Sequence, residues 1–209
     1  MIEFFTAWWS YGFMRNAFIA ILIITPLFGI LGTMIVNNKM AFFSDSLGHS
    51  ALTGIALGVV MGVADTTLSM MIFAVIFALL LNYISSKASA SRDTIISVFS
   101  SACIAVGLAI LSKGGNFSKY SSLLVRDILS ITRREIIYLF LIFLATIVFW
   151  IVCYNRLQAI SLHRTLAKSK HIRIRLIENL FSVFIALMVM LSIKWVGILI
   201  INALLILPA

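Results

Sequence analysis

The chain has 209 residues, of which 62% are hydrophobic and only 11% are charged, and its mean hydropathy is +1.13. Soluble domains carry about 45–50% apolar and about 25% charged residues, so this composition excludes a water-soluble globular domain and predicts a protein embedded in a lipid bilayer. The formal net charge of +9 does not indicate a nucleic-acid partner, because the basic residues cluster between the apolar segments, where Lys and Arg orient a membrane protein.

Seven uncharged runs follow one another along the chain, at 16–38, 46–64, 66–86, 94–112, 136–155, 179–193 and 195–209. A spanning helix needs about 20 apolar residues, and the first five runs are long enough. The last two are separated by Lys194, and they form either two short spans joined by a tight turn or one long helix over 177–209, bent near Gly197. Because backbone amides in lipid must be satisfied within the segment, we predict an all-α membrane protein. It is a polytopic helical bundle of about six to seven transmembrane helices, forming a single transmembrane domain over residues 1–209.

Two ionisable side chains lie at the beginning of the second run, Asp45 directly before it and His49 inside it, in the stretch FFSDSLGHSALTGIALG, residues 42–58. On a helix, Asp45 and His49 lie one turn apart on the same face, and Thr53 extends that face. Carboxylate oxygen and imidazole nitrogen are ligands of zinc, manganese and iron, and ionisable side chains inside a membrane usually serve a function. The pair is therefore a candidate metal site. The alternative is structural: Ser44 caps the helix with Asp45 in its first turn, and His49 hydrogen-bonds to another helix.

Small residues recur at every fourth position of the same run. They are Ser46, Ser50, Gly54, Gly58 and Gly62. A stripe of this kind lets two helices approach closely in a membrane, so we predict that these residues pack against another helix. The stripe lies about 100° around the helix from the ionisable pair, which predicts that the pair points into the packed bundle rather than at lipid.

The charged loops predict the orientation in the membrane. Loop 155–175 contains six Lys and Arg residues, and loops rich in these residues stay on the cytoplasmic side. Counting spans outward from it places the N-terminus outside and the loops at 37–44 and 87–93 inside. Loop 113–135 would then lie outside although it carries five basic residues, so the charge difference between the two sides is small.

Four stretches resemble, in the same order, the signature of the zinc/manganese/iron-type ABC transporter permease family. They are KMAFFSDSLGHSALTGIALG, RDTIISVFSSACIAVGLAI, LLVRDILSITRREI and KWVGILIINALLILPA. The resemblance covers essentially the whole chain, and four ordered matches are more specific than the Asp-x-x-x-His spacing alone.

The resemblance implies the membrane-spanning permease subunit of an ATP-driven importer of zinc, manganese or iron ions. It implies a multi-pass protein of the cell inner (plasma) membrane that forms a permease homodimer. Its further partners would be a cytoplasmic ATP-binding subunit and an extracytoplasmic metal-binding protein. No cofactor is expected to be bound permanently, since the metal ion is the cargo. The chain contains no Gly-rich phosphate-binding loop, so it is expected to be a transporter subunit and not an enzyme, with ATP hydrolysis on a separate chain.

The resemblance also implies roles for individual residues. Asp45 and His49 match the acidic and histidine positions of the family's metal pathway. The stretch ISLHRTLAKSKHI, within loop 155–175, falls where the family has its ATPase-contacting helix, and Ser161 and Ala167 match that pattern. Loop 155–175 is therefore expected to be the cytoplasmic ATPase-coupling loop and to contain a short helix.

The chain departs from the family pattern at several positions. His163 stands where an acid is usual and His171 where a glycine is usual, which makes the expected ATPase contact less typical. The chain also stops at Leu-Pro-Ala, whereas family members continue, so we expect it to be truncated at its C-terminus.

Two other functions stay open alongside the permease. The first is a secondary carrier or channel that uses Asp45 and His49 as a cation or proton relay, although such carriers often show internal repeats with broken helices and no clear repeat is present. The second is an inactive, truncated permease fragment that persists as a membrane-embedded structural subunit.

Overall fold

The computed structural model describes residues 9, 11–38, 40–63, 65–113, 131–162, 165, 167 and 173–196. The helices formed by these residues are α1, Gly12–Asn37; α2, Ala41–Val60; α3, Thr66–Lys87; α4, Arg92–Lys113; α5, Arg133–Leu162; and α6, Ile174–Val196. No strand occurs within the described ranges, and the predicted all-α membrane fold is confirmed.

Five of these helices are long and apolar enough to span a membrane, namely α1, α3, α4, α5 and the Ile174–Ile193 part of α6. Helix α2 is less apolar because Ser, Gly, Thr, Asp and His occupy many of its 20 positions. Twelve of its residues are nevertheless buried, and it packs against α3, α4 and α6. The least apolar helix therefore lies where other helices, rather than lipid, surround most of it.

Local polar contacts fix the beginnings of two helices. Asp65 caps α3, and its Oδ1 accepts a hydrogen bond from the Thr67 N–H at 2.9 Å. At α5 the Glu135 carboxylate accepts from the Thr132 backbone N–H at 2.9 Å, and Thr132 Oγ1 accepts in return from the Glu135 N–H at 3.4 Å. This reciprocal pair is a capping box, which satisfies N–H groups that have no acceptor inside the helix.

Helix α2 ends in a left-handed turn at Gly62, whose φ is +70°. The Gly62 N–H donates to the Val59 carbonyl at 3.2 Å and the Val63 N–H to the Gly58 carbonyl at 2.9 Å, which is the pattern of a Schellman motif. A Cβ atom at Gly62 would meet no described atom within 4 Å. The prediction that Gly62 belongs to the helix-packing stripe is therefore wrong, since glycine is needed here for its left-handed backbone.

Gly54 and Gly58 bring α2 against α3. A Cβ atom at Gly54 would lie 3.1 Å from Cδ1 of Phe73, and one at Gly58 would overlap the side chain of Ser69. Ser69 Oγ also donates a hydrogen bond of 2.6 Å to the Gly54 carbonyl. The missing side chains let the two backbones approach, which is how helices gain dispersion contacts and hydrogen bonds in lipid.

Helices α1 and α5 run side by side in the same direction. Near their beginnings, Asn16 Nδ2 donates to the Ile131 carbonyl at 3.2 Å. At their ends, Ser161 Oγ donates to the Asn37 carbonyl at 2.9 Å. A parallel arrangement agrees with the predicted order of spans, in which α1 and α5 cross the membrane in the same sense.

The predicted loop at 155–175 begins later than expected. Helix α5 continues to Leu162, so the first eight residues of that loop are helical. Arg156 does not end the helix because arginine has a high helix propensity and its long side chain can carry the charge to the membrane surface. Of the residues between the end of α5 and residue 173, Thr165 and Ala167 are described.

Helix α6 passes through Lys194 and ends at Val196. The alternative of two short spans joined by a tight turn at Lys194 is therefore wrong, because one charged side chain removes no backbone hydrogen bond from a helix. The expected bend near Gly197 lies outside the described residues.

Replacing Gly54 or Gly58 by leucine should destabilise the bundle. A branched side chain at either position must push α3 away, and overpacking of this kind costs about 1–3 kcal/mol. Thermal unfolding of the protein in detergent measures the effect. Gly29→Leu is the matched control, since Gly29 lies inside α1 and a Cβ atom there meets no described atom within 4 Å. Equal unfolding temperatures for all three variants would show that the contact between α2 and α3 does not depend on glycine.

Candidate metal site

Asp45 and His49 lie one turn apart on α2. His49 Nε2 is 3.6 Å from Asp45 Oδ1, and the two side chains are 54% and 45% exposed, respectively. This separation is longer than a hydrogen bond. It is close to the distance of about 3.4 Å between two ligands that bind one zinc ion tetrahedrally at about 2.1 Å. Both side chains can therefore bind the same divalent cation with little movement.

The face of α2 that carries the pair, the open face, is only partly covered by the described residues. Phe42, which precedes Asp45 on this face, is 58% exposed, and Leu52, which follows His49, is only partly buried. The prediction that the pair points into the packed bundle is therefore wrong for one chain. The reason is that α2 turns its small-residue faces toward α3 and α4, which leaves the pair at the edge of those contacts.

Thr53 lies on a different face from the pair. Its side chain is 3% exposed, and its Oγ1 donates a hydrogen bond of 2.6 Å to the Cys103 carbonyl on α4. Each step of four residues turns a helix by about 40°. Thr53 is two such steps from Asp45, so its side chain points toward α4 instead. The expectation that Thr53 extends the Asp45–His49 face is therefore wrong.

The capping alternative for the pair does not fit the helix as it forms. Helix α2 begins at Ala41, its N-cap residue is Met40, and no acidic residue lies in its first turn. Ser44 Oγ instead donates to the Ala41 carbonyl at 2.8 Å. Within the described helices, the polar contact of the His49 imidazole is with Asp45 on its own helix. Neither Asp45 nor His49 therefore caps the helix.

Ser46 and Ser50 are buried, and their hydroxyl groups are satisfied within α2. Ser50 Oγ donates to the Ser46 carbonyl at 2.7 Å, and Ser46 Oγ donates to the Phe43 carbonyl at 2.9 Å. Ser100 on α4 adds a hydrogen bond of 3.3 Å to the same Ser46 carbonyl. The two serines therefore let α4 approach without leaving their own hydroxyl groups unsatisfied.

Gly107 is a packing residue that the sequence analysis missed. It lies on α4, and a Cβ atom there would be 2.8 Å from Cα of Thr53, so α2 and α4 are in backbone contact. The available signal was its spacing of seven residues from Ser100, which places two small residues on one face of the helix. Gly107 and Thr53 together fix the position of the helix that carries the pair.

The pair lies in the half of α2 nearest to α1 along the chain. With a rise of about 1.5 Å per residue, Asp45 and His49 are about 6 Å and about 12 Å along the axis from Ala41. The described residues contain no group of three or more His, Cys, Asp or Glu side chains that could hold a metal ion. A cation here would take further ligands from water, from another chain or from residues outside the described ranges.

Of the two residues matched to the ATPase contact, Ser161 lies at the end of the bundle where α1 and α5 both end. Ser161 donates to the Asn37 carbonyl, which joins the last turn of α5 to the last turn of α1. Ala167 is fully buried and belongs to the hydrophobic core. His163 and His171 lie outside the described residues.

Comparisons with known proteins find a transport family and several membrane proteins of metal uptake systems that are similar to this chain. A model of the ABC 3 transport family matches residues 10–209. The high-affinity zinc uptake system membrane protein ZnuB of Haemophilus influenzae is 31% identical over 183 residues, which cover 86% of this chain and 69% of that protein. The manganese import system permease protein ScaB of Streptococcus parasanguinis is 25% identical over 209 residues, which cover 99% and 74%, respectively.

The fold also matches a solved structure. PsaBC from Streptococcus pneumoniae, in complex with Fab, superposes with a TM-score of 0.79 at 24% sequence identity, and the match covers 99% of this chain and 74% of that one. The bundle described above is therefore an arrangement of helices already seen in a solved protein.

Gly107→Ala should loosen the contact between α2 and α4. The added methyl group would lie too close to the Thr53 backbone, which cannot move without shifting α2, and overpacking costs about 1–3 kcal/mol. Thermal unfolding in detergent, with Gly29→Ala as the control, measures the loss. Gly29→Ala should unfold at the wild-type temperature or slightly above it, because alanine favours helix over glycine by about 1 kcal/mol. A Gly107→Ala protein as stable as the control would contradict the close contact.

Proposed function

The chain belongs to the ABC 3 transport family, and from this premise we propose that it is the membrane-spanning permease subunit of an ATP-driven importer of divalent zinc, manganese or iron ions. The protein is a transporter subunit rather than an enzyme, and ATP is hydrolysed by a separate cytoplasmic subunit. It is a multi-pass membrane protein, which we assign to the cell inner (plasma) membrane. An extracytoplasmic metal-binding protein delivers the ion.

The observation that carries the proposal is the geometry of Asp45 and His49. One carboxylate oxygen and one imidazole nitrogen, 3.6 Å apart, suit a single divalent transition-metal cation such as zinc, manganese or iron. The relatives of this chain include a zinc uptake system membrane protein and a manganese import permease. The chemistry of the pair and the names of the relatives support the same class of cargo.

An incomplete coordination shell suits transport better than permanent binding. Structural zinc sites are closed by four protein ligands, whereas this pair supplies two and is about half exposed. A transport site must bind the ion well enough to accept it and weakly enough to release it. The remaining ligands would be water or the side chains of another chain, both of which can be exchanged as the ion moves.

A second copy of the permease is the partner that we assign to the open face of α2. Oligomers of one chain are most often two-fold symmetric, so that the same face meets itself. Two such faces would bring two Asp45–His49 pairs toward one axis. This arrangement supports a homodimer whose metal pathway is built from both copies.

The ATP-binding subunit would dock at the end of the bundle that carries loop 155–175. Ser161 and Ala167 are the residues proposed for this coupling. The hydrogen bond from Ser161 to the Asn37 carbonyl, at 2.9 Å, joins this end to the short turn between α1 and α2. Asp45 lies near the beginning of α2, just after that turn. A displacement of the docking segment can therefore be transmitted to the metal pair through this contact.

The secondary carrier or channel is the competing function. It would use the same two side chains as a relay, but it needs neither an ATP-binding partner nor a delivering protein. Membership in an ABC transport family favours the permease. Co-purification of the chain with an ATP-binding subunit distinguishes the two, because a secondary carrier would purify without one.

Asp45→Asn and His49→Ala should each abolish metal uptake by the complete transporter reconstituted in vesicles. We expect losses of at least about tenfold, because even the outer-shell partners of metal ligands contribute about 10–100-fold to affinity. Uptake of zinc and of manganese is measured over time, together with retention of the ATP-binding subunit, which should not change.

Asp65→Asn is the matched control for the carboxylate. Asn caps a helix as well as Asp does, so the hydrogen bond that Asp65 accepts from Thr67 is kept and uptake should stay at the wild-type rate. Wild-type uptake by both Asp45→Asn and His49→Ala would refute a metal role for the pair.

The end of the bundle at residue 162 should be cytoplasmic and the end at residue 61 external. Single cysteines replace Leu162, which is 73% exposed, and Met61, which is 76% exposed, in a Cys103→Ser, Cys153→Ser background. In intact cells a membrane-impermeant maleimide should label the cysteine at 61, and it should label the one at 162 only after permeabilisation. The reverse pattern would overturn both the orientation and the proposed docking end.

A further inference from the structure

A polar cleft of about 590 Å³ lies between α3, α4 and α6, at the end of the bundle that carries the turn from α3 to α4. Three basic side chains, Lys87, Arg92 and Arg175, and one acidic side chain, Glu178, line it. The charged lining therefore carries three positive charges against one negative charge. None of these residues belongs to the Asp45–His49 pair or to the stretch 160–172 matched to the ATPase contact, although Arg175 is the last residue of loop 155–175.

A hydrogen-bond network fixes one of the basic groups in the cleft. Arg92 Nη2 donates to Asn82 Oδ1 at 2.9 Å. Asn82 Nδ2 in turn donates to Asn179 Oδ1 at 3.0 Å and to Ser182 Oγ at 2.9 Å. Because this chain of contacts crosses three helices, the guanidinium group is held at the wall of the cleft rather than free to extend into water.

Two further groups in the lining suit a ligand that accepts hydrogen bonds. Lys87 Nζ lies 4.6 Å from the centre of the Tyr83 ring and donates to the Tyr83 hydroxyl at 2.6 Å, which keeps the ammonium group at the rim. The Ser85 hydroxyl is buried and has no hydrogen-bond partner in the part of the chain that the structure describes. A buried hydroxyl without a hydrogen-bond partner is costly. An oxygen-rich ligand in the cleft would supply an acceptor for it.

An apolar stripe on α3 leads into the cleft. Its members are Leu68, Ile72, Ile76, Leu79 and Tyr83, which are between 43% and 57% exposed. Their spacing of three or four residues places them on one face, and Leu79 and Tyr83 also line the cleft. The stripe is about 22 Å long at about 1.5 Å per residue, which exceeds the roughly 15 Å of hydrocarbon in one leaflet. The basic cleft therefore adjoins an apolar stripe that lies at the depth of the lipid acyl chains.

We propose that this cleft binds the headgroup of an anionic phospholipid, whose acyl chains lie along the apolar stripe of α3. The phosphate would accept hydrogen bonds from Arg92, Arg175 and Lys87, and basic pockets between transmembrane helices are known to bind such headgroups. An acidic segment of a soluble partner would match the charge, but it would not account for the stripe, which lies at membrane depth. The lipid explains both features.

Native mass spectrometry of the complete transporter, purified in detergent with phosphatidylglycerol or phosphatidylcholine, tests the proposal. Phosphatidylglycerol should be retained in preference to phosphatidylcholine. Lys87→Gln and Arg175→Gln should each lower its retention about fivefold, which corresponds to about 1 kcal/mol for each removed charge. Both side chains are exposed and lie outside the asparagine network, so these variants should fold. Arg15→Gln and Arg133→Gln, exposed and at the opposite end of the bundle, should retain the lipid as the wild type does.

A competition experiment distinguishes binding of the whole lipid from binding of its headgroup alone. Glycerol phosphate, which carries the phosphate without acyl chains, should compete poorly with phosphatidylglycerol if the stripe contributes. Equal retention of the two lipids, unchanged retention in Lys87→Gln and Arg175→Gln, or equal binding of glycerol phosphate would overturn the proposal. Loss of the ATP-binding subunit from these variants with unchanged lipid retention would also overturn it, and would assign the cleft to an acidic protein segment.

Discussion

The close approach of α2 to α3 and α4 is the contact on which the rest of this bundle depends. Lipid chains are as apolar as leucine, so helices in a membrane are held together by dispersion contacts and hydrogen bonds rather than by the hydrophobic effect. Gly54, Gly58 and Gly107 remove the side chains that would keep the backbones apart. Ser69 and Thr53 then donate to carbonyl groups across the contacts, each at 2.6 Å. Without these contacts, the least apolar helix would have to face lipid.

The same packing determines what α2 can offer to an ion. Its other faces pack against α3, α4 and α6, and the face that carries Asp45 and His49 is left about half exposed. The ionisable side chains are therefore held by a rigid helix but keep an open side. A cation pathway requires both properties, because ligands that move freely bind poorly and ligands that are fully enclosed do not release.

Polar contacts near one end of the bundle connect elements that are distant in sequence. Ser161 reaches Asn37, 124 residues earlier, and Asn82 reaches Asn179 and Ser182, about 100 residues later. Asp45 and His49 lie in the half of α2 nearest to this end. The proposed docking of an ATP-binding subunit, the proposed lipid cleft and the proposed metal pair therefore share one side of the structure, where helix ends rather than helix middles meet.

From the sequence alone, the class of protein, the first five apolar segments and the spacing of Asp45 and His49 could be predicted. Apolar runs of membrane length can only be helical in lipid, and residues four apart on a helix face the same way, so Asp45 and His49 followed from local periodicity. The tertiary structure decided the contacts. It showed that Thr53 packs on Gly107 rather than extending the site, that Gly62 ends the helix, and that the pair lies at an open face. Periodicity gives the direction in which a side chain points around the axis of its helix. The burial of that side chain depends on which other helix packs beside it, and this packing depends on contacts between residues far apart in the chain.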